Sequence, residues 1–156
     1  MLVDGMLPPG RLRVTVDELR EHFVDAFPDS STRGLLFHRW LQYREVLVGL
    51  VPLKSQWIDG SFVTSKRDPG DIDLVNVFDG PELDQVPPER RAIASMMLKG
   101  SYTRAIWGVD AYVFAIYPDG DQRQAAALSA RGYWDWWLGR VRGDENVVKG
   151  YLEVVV

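Results

Sequence analysis

A chain of 156 residues, 46% hydrophobic and 26% charged, is the size of one domain and can bury about two thirds of its unfolded surface, which excludes a largely disordered polymer. A net charge of −4 excludes the whole-surface basic footprint of a nucleic-acid binder, so any polynucleotide partner requires a local basic patch. The absence of cysteine excludes a disulfide scaffold, a thiolate metal centre and a cysteine nucleophile, and confines metal chemistry to oxygen ligands. With no basic stretch leading a long apolar run, and no segment near the roughly eighteen apolar residues of a membrane span, a cytoplasmic protein is expected.

Residues 1–13, with Pro8, Pro9 and Gly10, read as a loosely held irregular arm ahead of a single domain over 14–156. Thr15 to Glu18 has the form of a capping box, and Val16, Leu19, Phe23 and Phe27 recur at helical spacing up to Pro28. Asp29 to Thr32 can cap a second helix whose apolar stripe is Leu36, Trp40, Tyr43, Leu47 and Leu50. From Gln56 the period changes, and two strands are expected, one running into Gly60–Thr64 and one over Asp71–Phe78, joined by the polar loop Ser65–Gly70. Asp79-Gly80-Pro81 reads as a turn, and Pro87-Pro88 opens a helix toward Lys99. Ala111–Tyr117 is a third strand. A last helix follows Asp121, with Gly132 a point of breakage and Gly139 its stop, before a final strand around Tyr151–Val156.

Side chains alternate along a strand, so Asp71 and Asp73 project from one side with Cα atoms roughly 6.5 to 7 Å apart. Two adjacent like charges there repel without a cation, and an oxygen-only set suits magnesium, usually held by one or two carboxylates plus substrate phosphates. Gly60 permits a tight backbone approach and Ser61 adds a hydroxyl, so this turn can receive phosphate oxygens. Asp110 joins as a third carboxylate if its strand pairs beside Asp71–Phe78, completing an oxygen cage of the kind used in two-metal phosphoryl or nucleotidyl transfer. Ser61 as a nucleophile has no support, since neither His22 nor His38 lies in a recognisable elbow around it. The tryptophans at 134, 136 and 137 are expected in core or interface packing. Arg90-Arg91 and Arg140-Val141-Arg142 with Lys149 are short basic groups expected to be solvated, and the first places to look for an RNA contact.

Gly60-Ser61, nine intervening residues, then Asp71-Ile72-Asp73-Leu74, with Asp110 on a later strand, resembles the DNA polymerase β-like nucleotidyltransferase superfamily. The wording Ile58-Asp59-Gly60-Ser61-Phe62-Val63-Thr64 and Asp68-Pro69-Gly70-Asp71-Ile72-Asp73 is most similar to small bacterial and phage proteins of the DUF6932 type. The resemblance implies an α+β fold, a mixed β-sheet flanked by helices. It implies that Asp71, Asp73 and Asp110 hold one or two magnesium ions, for which manganese can substitute, and carry the catalysis. Gly60, Ser61, Thr64 and Lys66 are the expected nucleotide-binding residues. The implied partners are a nucleoside triphosphate and a protein or transfer-RNA acceptor, in a toxin–antitoxin or phage-defence setting, with the C-terminal aromatics available to a homo-oligomeric interface. The open alternative is a binding module on the same fold that transfers nothing, and the orientation of Asp110 discriminates between the two.

Overall fold

The computed structural model describes residues 1–156. Its centre is a five-stranded mixed sheet in the order β1-β7-β2-β3-β4, formed by β1 (Gly10–Val14), β2 (Leu53–Asp59), β3 (Ile72–Asp79), β4 (Val109–Ile116) and β7 (Gly150–Val155). β1 runs parallel to β7 and β3 to β4, while β2 is antiparallel to both of its neighbours. The helices are α1 (Val16–Arg20), α2 (Arg33–Leu50), α3 (Gly80–Asp84), α4 (Pro88–Met96), α5 (Ser101–Trp107) and α6 (Gln124–Leu138). A small hairpin, β5 (Arg140–Val141) with β6 (Asp144–Val148), stands apart from the main sheet. This is an α+β architecture with a mixed sheet flanked by helices, and no helix is long and apolar enough to cross a membrane.

Local chemistry accounts for the helix starts. Glu18 N–H donates to Thr15 Oγ1 at 3.1 Å and Thr15 N–H to Glu18 Oε2 at 2.7 Å, the reciprocal pair that satisfies two orphan donors of α1. At α2 the N-cap residue Thr32 makes no side-chain cap bond, and the Ser30 hydroxyl oxygen instead accepts from the Thr32 and Arg33 amides. The helix runs 18 residues and stops before Pro52, where the missing amide of proline prevents continuation.

The first face of the sheet carries Ile58, Leu74, Ala111 and Leu152, which form one buried cluster with Trp40, Tyr43 and Leu47 of α2 and with Leu19 and Phe23. Each large side chain so buried contributes about 1.5–3 kcal/mol. Polar groups within this face are satisfied in a chain. Trp40 Nε1 donates to Gln56 Oε1 at 3.1 Å, Gln56 Nε2 to Asn76 Oδ1 at 2.8 Å, Asn76 Nδ2 to Tyr43 Oη at 2.9 Å, and Tyr43 Oη to the Met97 carbonyl at 2.9 Å. The second face carries Trp57, Val75, Val77, Phe114 and Tyr151, packed with Leu138, Trp134 and Trp137.

Several elements depart from the sequence-based expectation. The arm is not wholly irregular: Gly10–Val14 is a strand at the sheet edge, paired along its length with β7. Nor is its beginning loose. Leu7 is buried, the Gly5 carbonyl accepts from Ser65 N–H at 2.9 Å, and the Leu7 carbonyl accepts from Gly150 N–H at 3.1 Å. β2 starts at Leu53 and ends at Asp59, and Gly60–Val63 is a 3-10 turn rather than strand. Asp79 caps α3 by accepting from the Glu82 amide at 3.1 Å, so the expected turn is a short helix. α5 was not anticipated; it lies between Gly100 and Gly108, both at positive φ. Gly132 does not break α6, because the packing of Trp134 and Trp137 on Tyr112 outweighs a penalty of about 1 kcal/mol.

Candidate functional site

β2 ends where β3 and β4 begin, and the registers decide what meets there. Asp59 lies opposite Asp73 in the antiparallel pair, and Asp73 lies opposite Asp110 in the parallel pair. Directly paired residues share a face, so three carboxylates form a row across neighbouring strands about 4.8 Å apart. Asp71 sits just before β3, and its link to the row is Arg104, whose Nε is 3.0 Å from Asp71 Oδ2 and whose Nη2 is 2.6 Å from Asp110 Oδ2. Arg142, between β5 and β6, places Nη2 2.7 Å from Asp73 Oδ1. Lys149, between β6 and β7, donates to Asp59 Oδ1 and to the Leu138 carbonyl. Four carboxylates are thus met by three cations.

Burial raises the Asp73 carboxyl above its ordinary range against the pull of Arg142, and the Asp71 and Asp110 charges push it further. Burial likewise pushes Asp59 up to about 6 although Lys149 favours its charged form. Arg104 is shifted upward, first by its hydrogen bond to Asp110 and then by the Asp110 and Asp71 charges. For Asp59 and Asp73 burial is thus the leading cause, and the neighbouring carboxylates add to it at Asp73.

Gly60, Ser61, Thr64, Asp71 and Asp73 line one cleft of about 330 Å³, together with Arg142 and Lys149. Gly60 has φ +77°, and a Cβ there would fall onto the Asp73 carboxyl, so only glycine lets the turn cross over this residue. Asp110 lies beyond Asp73, with one oxygen on Arg104 and the Tyr112 hydroxyl. Lys66 does not join the cleft lining; its side chain is exposed and its carbonyl points inward to Arg33. The Thr64 hydroxyl is occupied within the turn, donating to the Ser61 carbonyl at 2.8 Å and accepting from the Lys66 amide at 3.2 Å.

Arg33, fully buried, holds this loop in place. Its guanidinium donates to the carbonyls of Phe23, Phe62, Thr64, Lys66 and Arg67 and lies 3.9 Å over the Phe27 ring. Burial lowers it to about 10, with the Asp68 charge opposing. Sequence reasoning missed Arg33, Asp59, Arg104 and the ion pairs of Arg142 and Lys149. For Asp59 a signal existed in its place beside Gly60, but the register that sets it opposite Asp73 is not written in local spacing.

Among the described residues no three acidic or histidine side chains converge on a single point, because each carboxylate is turned onto a basic partner. Asp71 Oδ1, Asp73 Oδ2 and Asp110 Oδ1 make no hydrogen bond among the described residues and remain as oxygen donors. Fold and site together define an α+β domain with an acidic cleft built at the mouth of three adjacent strands. The chain belongs to the family of unknown function DUF6932, whose model matches residues 2–155. No curated protein and no solved structure is matched.

Proposed function

We propose that the protein is a magnesium-dependent nucleotidyltransferase that moves a nucleoside monophosphate from a triphosphate to a hydroxyl of a macromolecule. The observation that carries this reading is the shared cleft: the Gly60-Ser61 turn and the carboxylates Asp71 and Asp73 line one space, with Asp110 opposite Asp73 on the adjoining strand. The donor set fits magnesium, since two carboxylates with free oxygens leave positions for water and phosphate. When bound, that ion offsets phosphate charge and orients the phosphorus for attack.

In this mechanism Asp71 and Asp73 hold the ion. Amides of the Gly60–Val63 turn and the Ser61 hydroxyl donate to phosphate oxygens. Arg142 and Lys149, already in the cleft, supply positive charge for the leaving pyrophosphate. The acceptor oxygen bonds to the α-phosphorus as the bond to pyrophosphate breaks, and Asp110, oriented by Arg104, takes the acceptor proton. One observation favours a binding-only reading: all four carboxylates are already paired with cations.

Label transfer separates the two readings. The protein is incubated in cell extract with magnesium and each labelled triphosphate in turn, beside the double variant Asp71→Asn, Asp73→Asn. Label reaching a macromolecule is expected, with a loss of about 1,000-fold or more in the variant, roughly 4 kcal/mol of transition-state stabilisation. Nucleotide binding without any transfer would replace this proposal by the binding module.

A further inference from the structure

α6 lies over the β4 side of the second face, where Trp134 and Trp137 pack on Tyr112. It leaves a groove above β1, β7 and β2. Arg11 and Arg13 alternate with Leu12 and Val14 along β1, and the parallel register sets them beside Tyr151 and Glu153. Arg131 of α6 forms the opposite bank. Two adjoining clefts, of about 350 and about 170 Å³, share Arg11 and Arg131 as lining residues. Arg140 extends the line at one end and Lys54 at the other.

Six cations line these clefts, Arg11, Arg13, Lys54, Arg131, Arg140 and Lys149, against two carboxylates. Glu153 lies 3.9 Å from Arg11 and 3.4 Å from Arg13, and Asp135 lies 3.7 Å from Arg131 while also accepting from the Tyr151 hydroxyl. Arg140 and Lys54 have no carboxylate partner among the described residues. In a chain of net charge −4 this is a local reversal of sign. The groove also touches the acidic cleft, because Lys149 lines both.

We propose that this groove binds a polynucleotide strand by its phosphates and leads it to the acidic cleft, so that the acceptor is a nucleic acid. The acceptor assignment rests on the nucleotidyltransferase reading; the binding assignment does not. Cations spaced along a groove suit a repeating anion, and the arginine fork matches phosphate oxygens. One exposed ring accompanies the charge: Arg140 lies 5.5 Å over the half-exposed Trp136. Such a ring offers stacking to a base and nothing comparable to an acidic peptide.

The test is fluorescence anisotropy of the full chain with end-labelled single-stranded RNA and DNA of mixed sequence, without nucleotide or metal, over a range of salt. Binding is expected, with log affinity falling linearly in log salt at about 0.7 per phosphate neutralised. The double variant Arg11→Gln, Arg131→Gln is expected to bind about tenfold or more weakly and to lower that slope by about 1.4. Arg11→Lys, Arg131→Lys should retain the slope, and Asp73→Asn should still bind. Equal melting temperatures show that the variants fold. No binding at low salt, equal binding by the glutamine variant, or equally tight binding of polyglutamate would each overturn the proposal. With triphosphate and magnesium added, label on the oligonucleotide supports delivery to the cleft, and label on protein alone overturns the acceptor assignment. Oligonucleotide bound but never labelled upholds the groove and overturns the acceptor assignment, whereas absence of label on any macromolecule in the extract rejects the nucleotidyltransferase reading itself.

Discussion

The two faces of the sheet solve the same problem differently. On the first face, helices close over the strands, and Trp40, Gln56, Asn76 and Tyr43 satisfy one another in a hydrogen-bonded chain, while the buried Arg33 is satisfied by backbone carbonyls. The second face is covered only in part, and charge collects there: buried, ion-paired carboxylates at the mouth of β3 and β4, arginines along β1. Closed packing rewards satisfied neutral groups, whereas buried or crowded charge persists only with partners. Stability and binding are therefore separated by face, and substitutions should respect that separation.

The largest effect belongs to the closed face. Trp40→Ala removes a fully buried ring and the donor to Gln56, and a loss of about 3–5 kcal/mol is expected from the shift in denaturant midpoint. A loss below about 1 kcal/mol would show that the first face is not the keel of the fold. A smaller effect is expected at the seam joining α2 to the loop before β3. Asp68 accepts from the Ser31 amide at 2.7 Å, and this bond, then that of Arg67, holds its carboxyl down to about 2. A depressed folded value means that the stabilisation is complete above the ordinary carboxylate range near pH 3.9 and is lost as pH falls through about 2. The melting temperature of Asp68→Asn should thus fall less steeply on acidification than that of the wild type, and parallel curves would exclude this role. The smallest effect belongs to the open face. Trp136, 42% exposed, should cost no more than about 0.5 kcal/mol when changed to alanine.

How much of this was legible beforehand depended on how local each cause was. The capping box at Thr15, the stripe of α2 and the alternation that puts Asp71 with Asp73 are written in adjacent residues, and the last of these places two carboxylates in the cleft. Asp110 was conditional on strand pairing, and the parallel register of β3 with β4 meets the condition. β1 was hidden because five residues with two arginines resemble a surface arm until β7 is beside them. α5 was hidden by Gly100, which reads as a stop and is also a start. The counterions were invisible because they arrive from far along the chain: Arg142 reaches Asp73 across 69 positions and Lys149 reaches Asp59 across 90.

The place of β7 between β1 and β2 imposes an order on synthesis. A nascent chain that has emerged only through α6 can pair β2, β3 and β4, and so gathers the aspartates before Arg142 and Lys149 exist. Its β1 has no neighbour, since the strand that joins it to the rest follows the other four in the chain. The sheet is completed by a late insertion between two waiting edges, a non-local step of the kind that slows folding, and a fragment ending at residue 139 lacks β7 and the cations that pair with Asp59 and Asp73.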